Sequence, residues 1–360
     1  MKILFLVPYP TEGASNRLRV EQYLPFLRQE GIEYRVRPFV SRGFYRILYL
    51  RGHYIKKVAY FILCTINRLF DIIRAINFDI VFIHREAYPI GPPVIESLLR
   101  MLGKKIIFDF DDAIFLPSTS KTNVFVERFK NPNKVANIIR MSDYVIAGNA
   151  YLKNYADKFN KNIAVIPTPI DTDRYSRVPN AKKEKERIVI GWMGSVTTQD
   201  YLESMKEVFL SISREFHSVH FKIVGGKIDL NGVKNVEFKE WRLEEEIPDL
   251  LDFDIGIMPM PDDHWTRGKC GFKIILYMSM GIATVCSPVG VNTDIIKDGE
   301  NGFLAEDSRE WVDKLSRLIK DTDTRGYFSR KGRELAEHFY SLKVNAPQFI
   351  GVLKKTHAKN

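Results

Sequence analysis

Cysteine is scarce in this chain of 360 residues. Cys64, Cys270 and Cys286 leave an odd count and no metal-ligand spacing, which excludes a disulfide framework and a zinc module. Long hydrophobic runs are missing too. VAYFILCTI at 58–66 falls far short of the ~20 residues of a membrane span. The opening MKILFLVPYP begins like an export signal but meets Pro8 and polar residues too soon, so it reads as the first buried strand of a cytoplasmic protein. The net charge is +10, yet neither zinc-finger spacing nor an aromatic RNA-binding strand accompanies it. Nucleic acid is therefore not an expected partner, and phosphates and anionic membrane surfaces remain. Acids are nearly absent from one stretch: residues 42–76 hold seven Arg and Lys against Asp71 alone. GASNRLRV at 13–20 lacks the glycine spacing of a dinucleotide fingerprint, which speaks against NAD.

What is present is regular alternation. Short apolar strands are predicted at 2–7, 34–39, 79–84, 104–110, 143–148 and 162–167, with helices at 17–29, across 42–76, at 91–102 and at 127–141. The charged, non-periodic RYSRVPNAKKEKER at 174–187 reads as a linker. A second set of strands follows at 188–194, 220–226, 235–241, 253–259, 282–288 and 302–306. Buried strands alternating with helices imply parallel sheets covered on both faces. The expected architecture is α/β: two Rossmann-like doubly wound domains facing across a cleft. They span 1–175 and 188–340, joined by a linker at 176–187. The tail at 341–360 is read as a helix packing back on the first domain.

The stretch RGKCGFKIILYMSMGIATVCSPVG at 267–290 places cations and a glycine turn before an apolar helix. Helix N-termini present unpaired N–H groups and a positive dipole end. Arg267, Lys269 and Lys273, with the amides of Cys270, Gly271 and Phe272, therefore read as an anion site; the plain alternative is a buried helix with a solvated basic first turn. His84 ends the strand DIVFIH, where α/β domains do their chemistry, or else caps the following loop. Arg85 and Glu86 follow it. FDFDD ends the next strand with Asp109, Asp111 and Asp112. The pattern suits hard metal ions in one architecture and an acceptor hydroxyl in another. Gly13, Ser15 and Arg17 offer phosphate or acceptor contacts, or an ordinary helix cap.

Residues 253–304, with GWMGS at 191–195, GNAYLKNYA at 148–156 and IPTPIDTDRY at 166–175, resemble the nucleotide-sugar-dependent glycosyltransferases of family 4. The resemblance implies the GT-B fold, an acceptor-binding first domain, and donor binding in the second without a metal or other cofactor. It implies transfer from a nucleotide-sugar donor, with retention, to a glycan or lipid-linked acceptor in cell-surface polysaccharide or lipopolysaccharide synthesis. A histidine at the position of His84 then lies close to the donor sugar. His84, Lys273 and Asp112 become the catalytic candidates, with Asp111 beside them.

Two departures stand out. Where the family carries paired glutamates, this chain has Gly268 and Leu276, neither of which accepts a hydrogen bond through its side chain. Where it carries an Arg and a Lys for the diphosphate, GSVTTQDYL offers Gly194, Ser195 and Thr197. A nucleotide-sugar epimerase and a non-catalytic sugar-nucleotide binder stand as rival readings. Basic residues mixed with aromatics in 42–76 suit the inner face of a cell membrane, or a core helix with a basic solvated side.

Overall fold

Each run of apolar, β-branched residues forms a parallel strand, and the strands assemble into two separate sheets. The computed structural model describes residues 1–116, 131–176 and 187–358. Most of the expected linker, and the start of the helix expected at 127–141, lie outside the described residues. The chain forms two units, Met1–Pro169 with Leu342–Asn360, and Ile170–Ser341.

In unit 1, β1 (Lys2–Val7), β2 (Glu33–Pro38), β3 (Ile80–His84), β4 (Lys105–Phe110), β5 (Tyr144–Ala147) and β6 (Ile163–Val165) lie in the order β2-β1-β3-β4-β5-β6. All pairings are parallel. β3 is buried along its whole length, as a strand covered on both faces must be. The C-terminal helix Leu342–Ala358 packs on this sheet, with Phe349 stacked on Tyr23 at 4.2 Å between ring centroids.

Helices were harder to bound from sequence. The single helix expected at 17–29 is three pieces: Ala14–Arg19, a 3-10 turn Glu21–Tyr23, and Leu24–Gln29. Val20 leaves helical geometry, and Pro25, with no N–H, suits only the start of a new helix. The stretch 42–76 divides into Arg42–Leu48 and Tyr54–Arg74, parted at Gly52 and His53, both at positive φ. No described helix is long and apolar enough to cross a membrane.

In unit 2, β7 (Ile188–Met193), β8 (Val219–Val224), β9 (Val236–Lys239), β10 (Ile255–Met258), β11 (Ala283–Cys286) and β12 (Phe303–Leu304) lie in the order β12-β11-β10-β7-β8-β9. Side chains of β7 alternate between two cores. Ile190 and Trp192 join one with Phe209 and Phe221; Val189 and Met193 join the other with Phe253 and Tyr277. Both sheets reverse direction of growth once, at β1/β3 and at β7/β10. Open α/β sheets bind ligands beyond the strand ends at such a point.

Candidate functional site

At the switch point of unit 1, the loop after β1 meets the end of β3. Gly13 opens the helix Ala14–Arg19, and a Cβ there would stand 2.5 Å from the Cβ of Tyr9, so the tight approach admits only glycine. Two residues on, Ser15 Oγ lies 2.9 Å from His84 Nε2. The other ring nitrogen, Nδ1, lies 2.6 Å from Asp109 Oδ2. Asp109 sits in register with His84 on the adjacent strand. A carboxylate accepting from Nδ1–H leaves Nε2 as the acceptor for a hydroxyl, so Asp109 assigns the tautomer.

Arg19 holds Asp109 from its far side. Its Nε donates to Oδ2 at 3.2 Å and its Nη2 to Oδ1, while Nη1 donates to the Ile166 carbonyl at 2.8 Å. Arg19 and Asp109 are both buried. Burial pushes the Asp109 carboxyl up, but the Arg19 guanidinium and the His84 hydrogen bond outweigh it and hold the carboxyl below its usual range. Burial alone would lower Arg19; Asp109 raises it above its ordinary value. This buried pair was not singled out from sequence. Sequence reasoning named Asp109 but not its partner Arg19, a cation set between Leu18 and Val20.

Arg85 adopts φ +62, rare for a residue with a side chain. Its N–H donates to the Asp109 carbonyl at 2.7 Å, and its guanidinium binds Asp111 at 2.8 Å and Asp112 at 2.6 Å. Burial works against the Asp111 charge, but Arg85 and then His84 prevail and keep its pKa well below the usual range. Asp111 also comes within 3.9 Å of His84 Nε2, whereas Asp112 is engaged with Arg85. Glu86 joins another cluster, 2.8 Å from the buried Lys134. Arg17 Nη1 donates to the Thr11 carbonyl at 3.4 Å.

In unit 2, the turns after β7 and β8 and the helix Phe272–Ser279 meet at Trp192. A Cβ at Gly194 would stand 2.3 Å from the Trp192 ring, and one at Gly225 would stand 2.3 Å from the Gly194 carbonyl. Ser195 Oγ and Thr197 Oγ1 lie 2.9 Å apart on an exposed turn. Gly271 takes φ +63 and opens the helix Phe272–Ser279, where a Cβ would meet Ile295 Cδ1 at 2.5 Å. Lys273 Nζ stands 5.4 Å from the centre of the Trp192 ring, within cation–π range.

The three cations expected here lie on different elements. Of the three cations, only Lys273 is on this helix. Arg267 ends a separate short helix, His264–Arg267, and binds Asp262 at 2.6 and 2.8 Å. Lys269 lies between the two helices, 5.3 Å from the centre of the Trp265 ring. Cys270 is buried and Phe272 half-buried. Leu276 is buried in the core and Gly268 caps the short helix. Trp192, which sequence reasoning did not select, is the ring over which Lys273 stands.

Residues 187–321 match the model of the family described as glycosyl transferases group 1. Over 307 residues the chain is 21% identical to an uncharacterized glycosyltransferase of Methanocaldococcus jannaschii, covering 80% of this chain and 78% of that protein. A glycosyltransferase from Rickettsia africae has a similar structure, with a TM-score of 0.71 at 16% identity over 100% of this chain and 99% of its own. So has HepE of Anabaena, solved with UDP-glucose, with a TM-score of 0.72 at 15% identity over 99% and 100%. Residues 187–321, which lie in unit 2, thus resemble the group 1 glycosyltransferase domain, and the chain has the GT-B fold. Together these findings support a glycosyltransferase of the GT-B type.

Proposed function

We propose that the protein moves a glycosyl group from a nucleoside-diphosphate sugar to a hydroxyl of a glycan or lipid-linked acceptor. In this reading transfer proceeds with retention, in the manner of family 4, and serves cell-surface polysaccharide or lipopolysaccharide synthesis. The observation that carries it is Lys273, over the Trp192 ring at the crevice of unit 2, the same ring against which Gly194 closes. As the bond from the sugar C1 to the phosphate oxygen breaks, negative charge grows on the diphosphate. A preorganised cation there favours the transition state over the ground state. The acceptor oxygen bonds to C1 on the same face, and the departing phosphate takes the acceptor proton, so no nucleophilic carboxylate is required. His84 Nε2, which accepts from Ser15 here, accepts from a sugar hydroxyl in the working enzyme. Asp111 and Asp112 are already matched by Arg85, so a metal ion would compete with that cation and none is called for.

The test is a panel of labelled nucleotide sugars, with and without glycan or lipid-linked acceptors, read for transferred sugar and released nucleotide. Lys273→Ala should lower turnover by about 100-fold or more while the protein stays folded. EDTA should leave turnover unchanged. Near-normal turnover by the variant removes Lys273 from the chemistry. Epimer formed without an acceptor would identify an epimerase. Donor binding without turnover would fit a non-catalytic binder, the reading that Gly268 and the buried Leu276 favour.

A further inference from the structure

The helix Tyr54–Arg74 faces the wrong way for an ordinary surface helix. Its Arg68 and Asp71 point into the protein, although Lys56 near its start is exposed. Asp71 is buried and receives Arg37 at 2.8 Å, Arg74 at 2.9 Å and the buried Arg68 at 3.4 Å. Arg68 also donates to the carbonyls of Val7 and Arg37, both at 3.2 Å. Burial lowers its pKa to about 10, which leaves it charged at neutral pH. Cys64 is buried and Tyr60 and Phe61 pack inward, but much of the apolar surface points out. Ile55, Val58, Ile62, Ile66, Leu69 and Ile73 recur every three or four positions, and all are exposed, Ile55 at 87% and Ile73 at 62%. The helix Val94–Met101 packs beside it and shows its own exposed stripe, with Met101 at 82%.

The stripe is bounded by cations. Arg46, Arg51 and Lys56 are exposed near its start, and among the described residues none of them joins an ion pair. Lys57 is different: it is half-buried and donates to the Leu50 carbonyl at 2.6 Å. Arg74 lies at the far end of the helix, and just past it Lys104 donates to the Ile76 carbonyl at 2.8 Å. The helix carries no exposed carboxylate; Asp71 is its only acid.

We infer that this face docks on the surface of an anionic lipid bilayer, with the helix lying in the plane of the interface. A helix of 21 residues presents an apolar strip about 31 Å long. It is too polar on its inner side to span a bilayer, and it is rimmed by cations that meet anionic headgroups. Pairing with a second copy is disfavoured by charge. Both ends of the stripe are basic, so either antiparallel or parallel self-pairing sets cation against cation. The surface belongs to unit 1 alone and does not depend on the transfer reading. A lipid-linked acceptor would give it a purpose, since the enzyme would then wait where its substrate is confined.

The experiment is co-sedimentation of the full chain with phosphatidylcholine vesicles made with and without phosphatidylglycerol, at low and high salt, alongside size-exclusion chromatography of the protein alone. The expected result is binding that needs phosphatidylglycerol and weakens with salt. Each cation at the surface is worth about fivefold in partitioning, so Arg46→Glu, Arg51→Glu and Lys56→Glu combined should weaken binding by at least about tenfold. Ile62→Glu with Ile66→Glu should also abolish it, and exposed positions tolerate such changes without unfolding. As a check independent of these variants, a bimane label on Ile66→Cys should shift to the blue with vesicles. Wild-type protein that ignores anionic vesicles at low salt overturns the inference. So does binding that survives both sets of variants, or a dimer that Ile62→Glu and Ile66→Glu dissociate while vesicles remain unbound. Donor turnover in solution is measured separately, so failure here leaves the glycosyl-transfer reading untouched.

Discussion

Arg19 and Asp109 show how much a single buried pair determines in unit 1. Both act by fixing the ring of His84. Removing one partner leaves a charge in the interior with nothing to balance it, which typically costs about 3–5 kcal/mol. Arg19→Met should therefore lower the denaturation midpoint strongly, and adding Asp109→Leu should restore part of the loss. If the double variant is no more stable than the single one, the cost lies in packing rather than in an orphaned charge. The sign of the pH effect follows from Asp109. Its carboxyl titrates below its unfolded value, so its contribution is complete above the ordinary carboxylate range and fades as pH falls through the depressed value. Acid should hence destabilise the wild type more than the double variant. Sequence showed His84 and the acidic run after β4, because both stand at strand ends. It did not show that Asp109 faces His84 and Arg19, since a strand's neighbour and register are set by the whole sheet.

Among the elements, the helix Phe272–Ser279 was the most legible. Its glycine turn, apolar run and terminal Gly281 stand in the sequence where they stand in the structure. Spacing alone did not reveal that Arg267 belongs to a separate short helix ended by Gly268. Gly271 provides a clean test of the cap. Its left-handed φ costs an L residue about 1–2 kcal/mol, and the added Cβ also meets Ile295. Gly271→Ala should lose more stability than Gly299→Ala, which shares a positive φ but has nothing within 4 Å. Equal losses in thermal denaturation would mean that the Ile295 contact yields freely. The helix Tyr54–Arg74 teaches the opposite lesson. Periodicity announces two faces but never says which one the protein buries. Here three arginines converging on Asp71 decide it, and two of them lie on the helix itself.

For the whole molecule, the division into two parallel-sheet units was readable from the alternation of strands and helices, because such strands are buried on both faces and lose their polar positions. What alternation could not give is the membership of each unit. Unit 1 closes with the helix Leu342–Ala358, whose Phe349 lies against Tyr23 and Phe82. A chain stopped at Ser341 should leave that sheet face open and bind a hydrophobic dye. Native hydrogen exchange of β1 and β3 in the truncated chain would make the helix a dispensable cover.

That closing helix also sets a schedule. The strands of unit 1 leave the ribosome first, yet the segment that covers them is made last, after the 172 residues from Ile170 to Ser341. At 5–20 residues per second this interval is roughly ten to thirty seconds. During that time the nascent chain carries an apolar sheet face covered only in part, by Val20, Tyr23 and Leu27, so the first half to be translated is the last to be finished.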